Sequence, residues 1–209
     1  FENDSLKIVL KDNQSSFVVL KMAGTLFARL DDQSVLADNV YNKKAYKFVG
    51  DAENKTLKIY QDDTLLKQTT ISFFTKNDEG VETIDNDVTF TTLNILTFDG
   101  LNQVTLAGNY LLKISTVSSK YANSAVFEVE NNFVIDQKQI DVTKLDLTKS
   151  YDRRTDKNIT QIDEVELGDS VAILARFDSV NVGETNGKLL LQGTDLKNYA
   201  LSQTTFTNG

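Results

Sequence analysis

The chain has 209 residues, of which 40% are hydrophobic and 25% charged, and its net charge is −8; this composition supports a packed core and excludes a disordered chain. Because cysteine and histidine are both absent, Ser-His-Asp and Cys-His catalysis, disulfides and the usual structural zinc sites are excluded. The acidic charge would repel a nucleic-acid backbone or an anionic lipid surface, and no apolar run is long enough to span a bilayer, so we predict neither nucleic-acid binding nor membrane insertion.

Short runs rich in Thr, Val, Ile, Phe and Tyr alternate with polar turns in the first part of the chain, which is typical of β-strands. The predicted strands are LKIVLK (6–11), SFVVLKM (16–22), TLFARL (25–30), YKFVG (46–50), TLKIYQ (56–61), TTISFFTK (69–76), DVTFTTLNILTF (87–98), GNYLLKISTV (108–117) and SAVFEVE (124–130). The stretch DDQSVLADNVYNKKAY (31–46) is predicted to hold a helical turn. No segment of a dozen residues has the 3.6-residue apolar stripe of an amphipathic helix.

A break falls in NNFVIDQKQIDVTK (131–144), where polar residues alternate with isolated apolar ones, and we predict the domain boundary there. The strands predicted beyond it are QIDVTKLDL (139–147), NITQIDEVEL (158–167), SVAILARF (170–177), KLLLQG (188–193) and YALSQTTF (199–206). Regular short strands with frequent turns favour β-sandwiches. We therefore predict an all-β chain of two tandem Ig-like β-sandwich domains, residues 1–133 with extra N-terminal strands and residues 134–209.

Several short motifs follow one another in the last third of the chain: KSYDRRTD, VELGDSV, ARFDSVNVGE and KLLLQGTDLKNYAL. Their order over residues 140–204 resembles that of the YDG domain, a repeat of large bacterial surface and secreted adhesin-like proteins. The resemblance implies a structural role for the matching residues, which are Tyr151, Asp152, Thr155, Gly168, Asp169, Phe177, Val182, Gly183, Gly193, Asp195, Asn198 and Tyr199. The stretch LAGNYLLKIST…KYANSAVFEVE resembles, more weakly, the ending of the Ig-like MBG-type repeats that accompany YDG units.

Arg153 stands where the family has a glycine after its Tyr-Asp pair. A positive φ at this position would strain an arginine by about a kilocalorie per mole or more, so we expect the local turn to differ from that of the family. For the whole run KSYDRRTDKN (149–158) we favour a structural corner in which Tyr151 packs and Asp152 or Asp156 caps a turn. The alternative is an anion contact through the guanidinium groups of Arg153 and Arg154.

Three other site types have weaker support in the sequence. The acidic loops 77–87 and 31–39 lack the ligand spacing of an EF-hand, which favours solvated turns over calcium sites. Paired carboxylates could serve a glycosidase, but no tryptophan is present to form a sugar platform. A Lys–Asn isopeptide link stays open, since the sequence cannot place the residues it needs. We predict no catalytic residue, no metal site and no cofactor.

The YDG resemblance implies a non-catalytic module of a larger bacterial surface or secreted protein, which acts as a stalk or spacer repeat outside the cell. Its partners would be neighbouring domains of the same longer chain. The chain begins and ends abruptly, as a piece of a longer protein would, although a mature or engineered chain would look the same. The alternative function is a module that binds a glycan or a host surface protein through loops at one end of a sandwich.

Overall fold

The computed structural model of the protein describes residues 8–10, 17–19, 26–118, 125–181, 183 and 185–208. β-Strands dominate these residues, and their helical segments are the three 3-10 turns Gln33–Leu36, Val142–Lys144 and Leu196–Asn198. None of the helical segments in this part of the chain is long and apolar enough to cross a membrane. The all-β class and the helical turn within residues 31–46 are thereby confirmed.

The strands are named here in chain order. They are β1 (Ile8–Leu10), β2 (Phe17–Val19), β3 (Phe27–Leu30), β4 (Asn39–Val40), β5 (Tyr46–Asp51), β6 (Thr56–Gln61), β7 (Thr64–Lys76), β8 (Glu82–Ile84), β9 (Phe90–Thr97), β10 (Gln103–Val104), β11 (Gly108–Tyr110), β12 (Leu112–Ser118), β13 (Ala125–Glu128), β14 (Phe133–Asp136), β15 (Lys138–Ile140), β16 (Asp156–Ile159), β17 (Val171–Phe177), β18 (Thr185–Gly193), β19 (Tyr199–Leu201) and β20 (Thr205–Asn208).

The chain divides into two compact units. Unit 1 contains the described residues up to Asp38 together with Ala45–Val104 and Asn109–Val134. Unit 2 contains Asn39–Lys44, Thr105–Gly108 and the described residues from Ile135 onward. Sequence analysis assigned the two short segments of unit 2 to the first domain, since nothing in their composition marks them, and it placed the boundary between residues 133 and 134.

Unit 1 is built from two main antiparallel sheets around an aromatic core. The strand order is β10-β5-β6-β7-β3 in one sheet, with β8 also paired to β7, and β13-β12-β9 in the other; β1 and β2 pair with each other. The long strand β7 pairs with β6 through residues 64–70 and with β3 through residues 71–74. From β7 the ring of Phe73 lies 4.4 Å from that of Phe90 on β9 and 6.0 Å from that of Phe127 on β13, measured between centroids.

Unit 2 contains a four-stranded antiparallel sheet in the order β16-β17-β18-β20 and a parallel pair formed by β15 and β19. Strand β4 also pairs in parallel with the end of β14, where Asn39 lies opposite Ile135. Along β17 the side chains of Val171, Ile173, Ala175 and Phe177 are all buried. This alternation follows from the two-residue period of a strand and places the core on one face of the sheet.

The predicted strand at residues 158–167 is wrong beyond Ile159, where β16 ends. Residues 160–170 run as turns, with backbone hydrogen bonds from the N–H of Val165 to the carbonyl of Ile162 and from the N–H of Asp169 to the carbonyl of Glu166. These two N–H groups therefore find partners within the turns instead of in a neighbouring strand. The turns place Asp169 directly before β17.

Candidate functional site

A buried carboxylate with three donors lies in unit 2, and we call it and its partners the Asp169 cluster. Oδ2 of Asp169 accepts hydrogen bonds from the hydroxyls of Tyr41, at 2.6 Å, and Tyr199, at 2.8 Å. Oδ1 forms an ion pair with Nζ of Lys43 at 2.8 Å, and the Asp169 side chain is only 5% exposed. The rings of the two tyrosines meet edge to face with centroids 5.5 Å apart.

The electrostatics of the Asp169 cluster hold the carboxylate in its charged form. Burial by itself raises the pKa of Asp169, but the hydrogen bonds from Lys43, Tyr41 and Tyr199 outweigh burial, so the pKa lies below its ordinary value. Burial raises the pKa of both tyrosines, and their hydrogen bonds to Asp169 raise it further. A carboxylate with a low pKa and both oxygens occupied is poorly suited to act as a general base. The cluster is suited to holding chain segments together.

The last of the quoted motifs, KLLLQGTDLKNYAL (188–201), is called here the closing motif. Its residues contact the turn that follows Asp169. Oδ2 of Asp195 accepts the N–H of Ser170 at 2.9 Å. Gly193 has a φ of +127°, and a Cβ at this position would overlap the carbonyl oxygen of Ser170. The side chain of Asn198 is buried and accepts the N–H of Ala107 at 3.0 Å. The structure thus brings the Gly168-Asp169 motif and the 193–199 motif together at one corner of unit 2.

The first of the quoted motifs, KSYDRRTD (149–156), is called here the opening motif. The structure differs from what was predicted for it at two residues. Tyr151 is 62% exposed, so the expectation that its ring packs at the edge of the core is wrong. Arg153 has a φ of +65°, so the position does have the glycine-like conformation that we expected the local turn to avoid. Asp152 caps the turn as expected, because its Oδ1 accepts the N–H of Arg154 at 2.9 Å and also pairs with Lys149. The carbonyl of Thr155 accepts the N–H of Phe177 at 2.6 Å.

A cavity of about 270 Å³ in unit 2 is lined by residues 149–152 and 154 and by residues 177, 179–181 and 183, and we call it the Arg154 cavity. Its lining includes Phe177, which is buried and packs edge to face on Phe206 at 5.1 Å between centroids. The exposed side chains of Tyr151 and Val180 form apolar parts of its rim. Gly183 also lines the cavity, whereas Arg153 does not; the predicted motif residue Val182 lies outside the described residues.

The cations of the Arg154 cavity differ in how they are bonded. Nζ of Lys149 pairs with Asp152 and donates to the carbonyl of Arg154 at 2.9 Å. The guanidinium of Arg154 makes no hydrogen bond or ion pair within the described ranges of the chain, although it lies close enough to lower the pKa of Asp152. Among the described residues, Arg154 is therefore the cation of the cavity lining whose guanidinium has no bonded partner.

A second cavity, of about 240 Å³, lies in unit 1. Both of its cations are paired, because Glu82 contacts Arg29 at 2.7 Å and Lys76 at 3.3 Å. The nearby acidic loop uses Asn77 as a turn residue, whose Oδ1 accepts two backbone N–H groups. In the part of the chain that the structure describes, no group of acidic side chains is arranged to hold a metal ion.

Two members of the Asp169 cluster, Tyr41 and Lys43, were missed by sequence analysis. Tyr41 is 128 residues from Asp169 along the chain. A motif search finds residues that are grouped in sequence, and a single tyrosine and lysine in a polar segment carry no such signal.

Compared with protein-family models, curated proteins and solved structures, the chain shows no significant match in any of the three. The YDG resemblance therefore stays a prediction that depends on the residues quoted above. The geometry of unit 2 is the basis on which a function can be proposed.

Proposed function

We propose that this chain is a non-catalytic structural and adhesive module of a larger bacterial surface or secreted protein, in which it acts as a stalk or spacer repeat. In this proposal each unit is an Ig-like β-sandwich, and the neighbouring partners are further domains of the same longer chain. The module works outside the cell and needs no cofactor. Its mechanism is passive, since each unit is stabilised by its own core and keeps its shape without a ligand.

The observation that carries this proposal is the use of the motif residues in unit 2. Asp169 and Tyr199 bond to each other, Asp195 caps Ser170, and Gly193 permits a close backbone approach. The polar groups of these motif residues are hydrogen-bonded within the fold, and this supports a structural role for the motif. A reaction centre would instead present unbonded groups to a substrate.

A second candidate function, glycan or host-protein binding, is favoured by the Arg154 cavity. An exposed aromatic ring, a guanidinium with no bonded partner among the described residues and a concave surface occur together there. Polar groups placed beside apolar surface in a concave site are typical of sites that bind small ligands. A spacer that also makes a weak contact of this kind would contribute to attachment without ceasing to be a spacer.

The surface setting is tested by labelling intact cells of the source bacterium with an antibody raised against the 209-residue chain. We expect labelling of intact cells, or recovery of the chain in the culture medium. The control is an antibody against a cytoplasmic protein, which should label only lysed cells. Labelling by both antibodies only after lysis would contradict the proposal.

A further inference from the structure

We propose that the Arg154 cavity binds a single carboxylated sugar unit of a glycan. Its volume of about 270 Å³ lies just below the roughly 300–1,000 Å³ of pockets that enclose drug-sized ligands. A cavity of this volume accommodates one sugar ring with its substituents. It does not enclose an extended peptide segment.

The carboxylate of the sugar is recognised by Arg154. The planar guanidinium fork matches a carboxylate in two parallel hydrogen bonds, and Arg154 makes no hydrogen bond or ion pair of its own within the described residues, although Asp152 is close by. Lys149 cannot take this role as readily, because its ammonium already contacts Asp152 and the carbonyl of Arg154. Of the described charged residues that line the cavity, Lys149 and Asp152 are paired with each other and Arg154 is not.

The ring of the sugar is recognised by the apolar and neutral polar groups of the same cavity. The exposed ring of Tyr151 and the side chain of Val180 offer apolar surface to the C–H groups of a pyranose. Asn181 and Ser150 also line the cavity, and the side-chain amide of Asn181 and the hydroxyl of Ser150 make no hydrogen bond within the described parts of the chain. These groups can bond to sugar hydroxyls, which a simple carboxylate such as acetate does not possess.

The net charge of −8 does not prevent binding of an anion at this position. The segment 149–154 carries three cationic side chains and one carboxylate, so its local charge is opposite to that of the whole chain. At physiological ionic strength more distant charges are screened over about 8 Å. The electrostatic potential at the cavity is therefore determined mainly by the charged side chains of this segment.

The use of this site in attachment depends on the proposed surface setting, but the binding step does not. We expect a weak dissociation constant, on the order of 1 mM, because one small ring makes few contacts. Several such modules in one chain would convert weak contacts into stable attachment to a repeating acidic polysaccharide.

Binding is measured on the isotope-labelled 209-residue chain by NMR, following amide shifts during titration with glucuronic acid, N-acetylneuraminic acid, glucose and acetate. We expect saturable shifts in residues 149–154 and 177–181 with at least one of the two acidic sugars. Glucose has the ring without the carboxylate, and acetate the carboxylate without the ring. Each should bind at least about tenfold more weakly, which corresponds to about 1.4 kcal/mol. Whichever acidic sugar binds more tightly indicates whether a uronic acid or a sialic acid is the natural unit.

The variants Arg154→Gln and Tyr151→Ala should each weaken binding of the acidic sugar at least about tenfold. Both positions are exposed, so the variants should stay folded, and their spectra check this directly. Arg153→Gln is the matched control, because it removes the same charge from the same turn at a residue that does not line the cavity; its affinity should stay within about twofold.

Three results would overturn the inference: no saturable shift with either acidic sugar, equal binding of glucose or acetate, or equal losses in Arg153→Gln and Arg154→Gln. None of these results would alter the antibody labelling of intact cells. Conversely, a chain found only inside cells would contradict the stalk role and leave the measured sugar affinity unchanged. The two proposals therefore fail separately.

Discussion

Tyr199 donates its hydroxyl to Oδ2 of Asp169 at 2.8 Å, and the same hydroxyl accepts the backbone N–H of Glu166 at 2.9 Å. One phenol thus bonds both to the carboxylate before β17 and to the turn that leads to it. Because Tyr199 is almost completely buried, losing its hydroxyl would remove one donor from Asp169 and leave the N–H of Glu166 without this acceptor. This relationship makes Tyr199 a residue of the framework of unit 2.

Removing the hydroxyl with Tyr199→Phe should lower the free energy of unfolding by about 1.5–3 kcal/mol, the usual range for a buried hydrogen bond to a charged group. Urea unfolding followed by circular dichroism measures the change. Tyr151→Phe is the matched control, since its hydroxyl is on an exposed side chain, and it should alter stability by less than about 0.5 kcal/mol. Equal effects of the two substitutions would mean that the Asp169 cluster does not stabilise unit 2.

Stability should fall in acid in a way that depends on Asp169. Its pKa is lower in the folded chain than its ordinary value, so the unfolded chain takes up the proton first as the pH falls. The stabilisation is complete above the unfolded pKa of about 3.9 and is lost as the pH falls through the folded pKa.

Urea midpoints measured across this acid range check the pH dependence, which Asp169→Asn should make shallower than in the unmodified chain. Asp178→Asn, at an exposed carboxylate, is the control and should keep the original dependence. An unchanged acid dependence in Asp169→Asn would contradict the assignment of the low pKa to this residue.

Arg153 occupies a left-handed conformation, with φ at +65°. Replacing it with glycine removes a strain of about 1–2 kcal/mol but adds freedom to the unfolded chain, so Arg153→Gly should stabilise the protein by about 0.5–1 kcal/mol. Arg153→Ala removes the same charge and keeps the strain, and it should give no such gain. Thermal unfolding of the two variants separates backbone strain from charge. A gain of the same size in both would assign the effect to the charge.

Position 193 requires glycine for two reasons: its backbone conformation, and the lack of room for a Cβ atom. A Cβ there would overlap the carbonyl oxygen of Ser170, whereas Gly183, with a similar φ of +122°, has no described atom within 4 Å of the corresponding position. Gly193→Ala should therefore destabilise the chain by more than about 3 kcal/mol, and Gly183→Ala by about 1–2 kcal/mol, the cost of the backbone conformation alone. Urea unfolding of the pair gives the difference. Similar losses in both would show that the backbone at Gly193 adjusts without cost.

The strands of this fold were largely predictable because most of them have the alternating pattern of a half-buried sheet. The prediction failed at residues 141–147, where the 3-10 turn Val142–Lys144 follows the end of β15. It failed again at residues 160–167, where Ile159 and Ile162 mimic a strand but lie on either side of its end. It also assigned residues 131–144 to a junction, whereas β14 and β15 run through them and Phe133 and Ile140 are fully buried. Isolated apolar residues at two-residue spacing are a strand signal even when polar residues surround them.

The members of the Asp169 cluster were predictable only where they belong to a short sequence motif. Asp169 and Tyr199 were both singled out through their motifs, and the structure bonds them to each other. Tyr41 and Lys43 complete the same cluster from a segment with no motif of its own. The exposure of Tyr151 could not be predicted either, because a tyrosine in a turn can pack or face solvent depending on the residues that share its surroundings, here Phe177 and residues 179–181.

The central claim is that the residues which carry the sequence resemblance stabilise the fold as a connected corner, and a double-mutant cycle between Asp169 and Tyr199 tests it most directly. The free energies of unfolding of Asp169→Asn, Tyr199→Phe and the double variant are measured in urea at neutral pH. We predict a coupling energy of about 1–2 kcal/mol between the two positions. Strictly additive losses, with a coupling below about 0.5 kcal/mol, would contradict the claim.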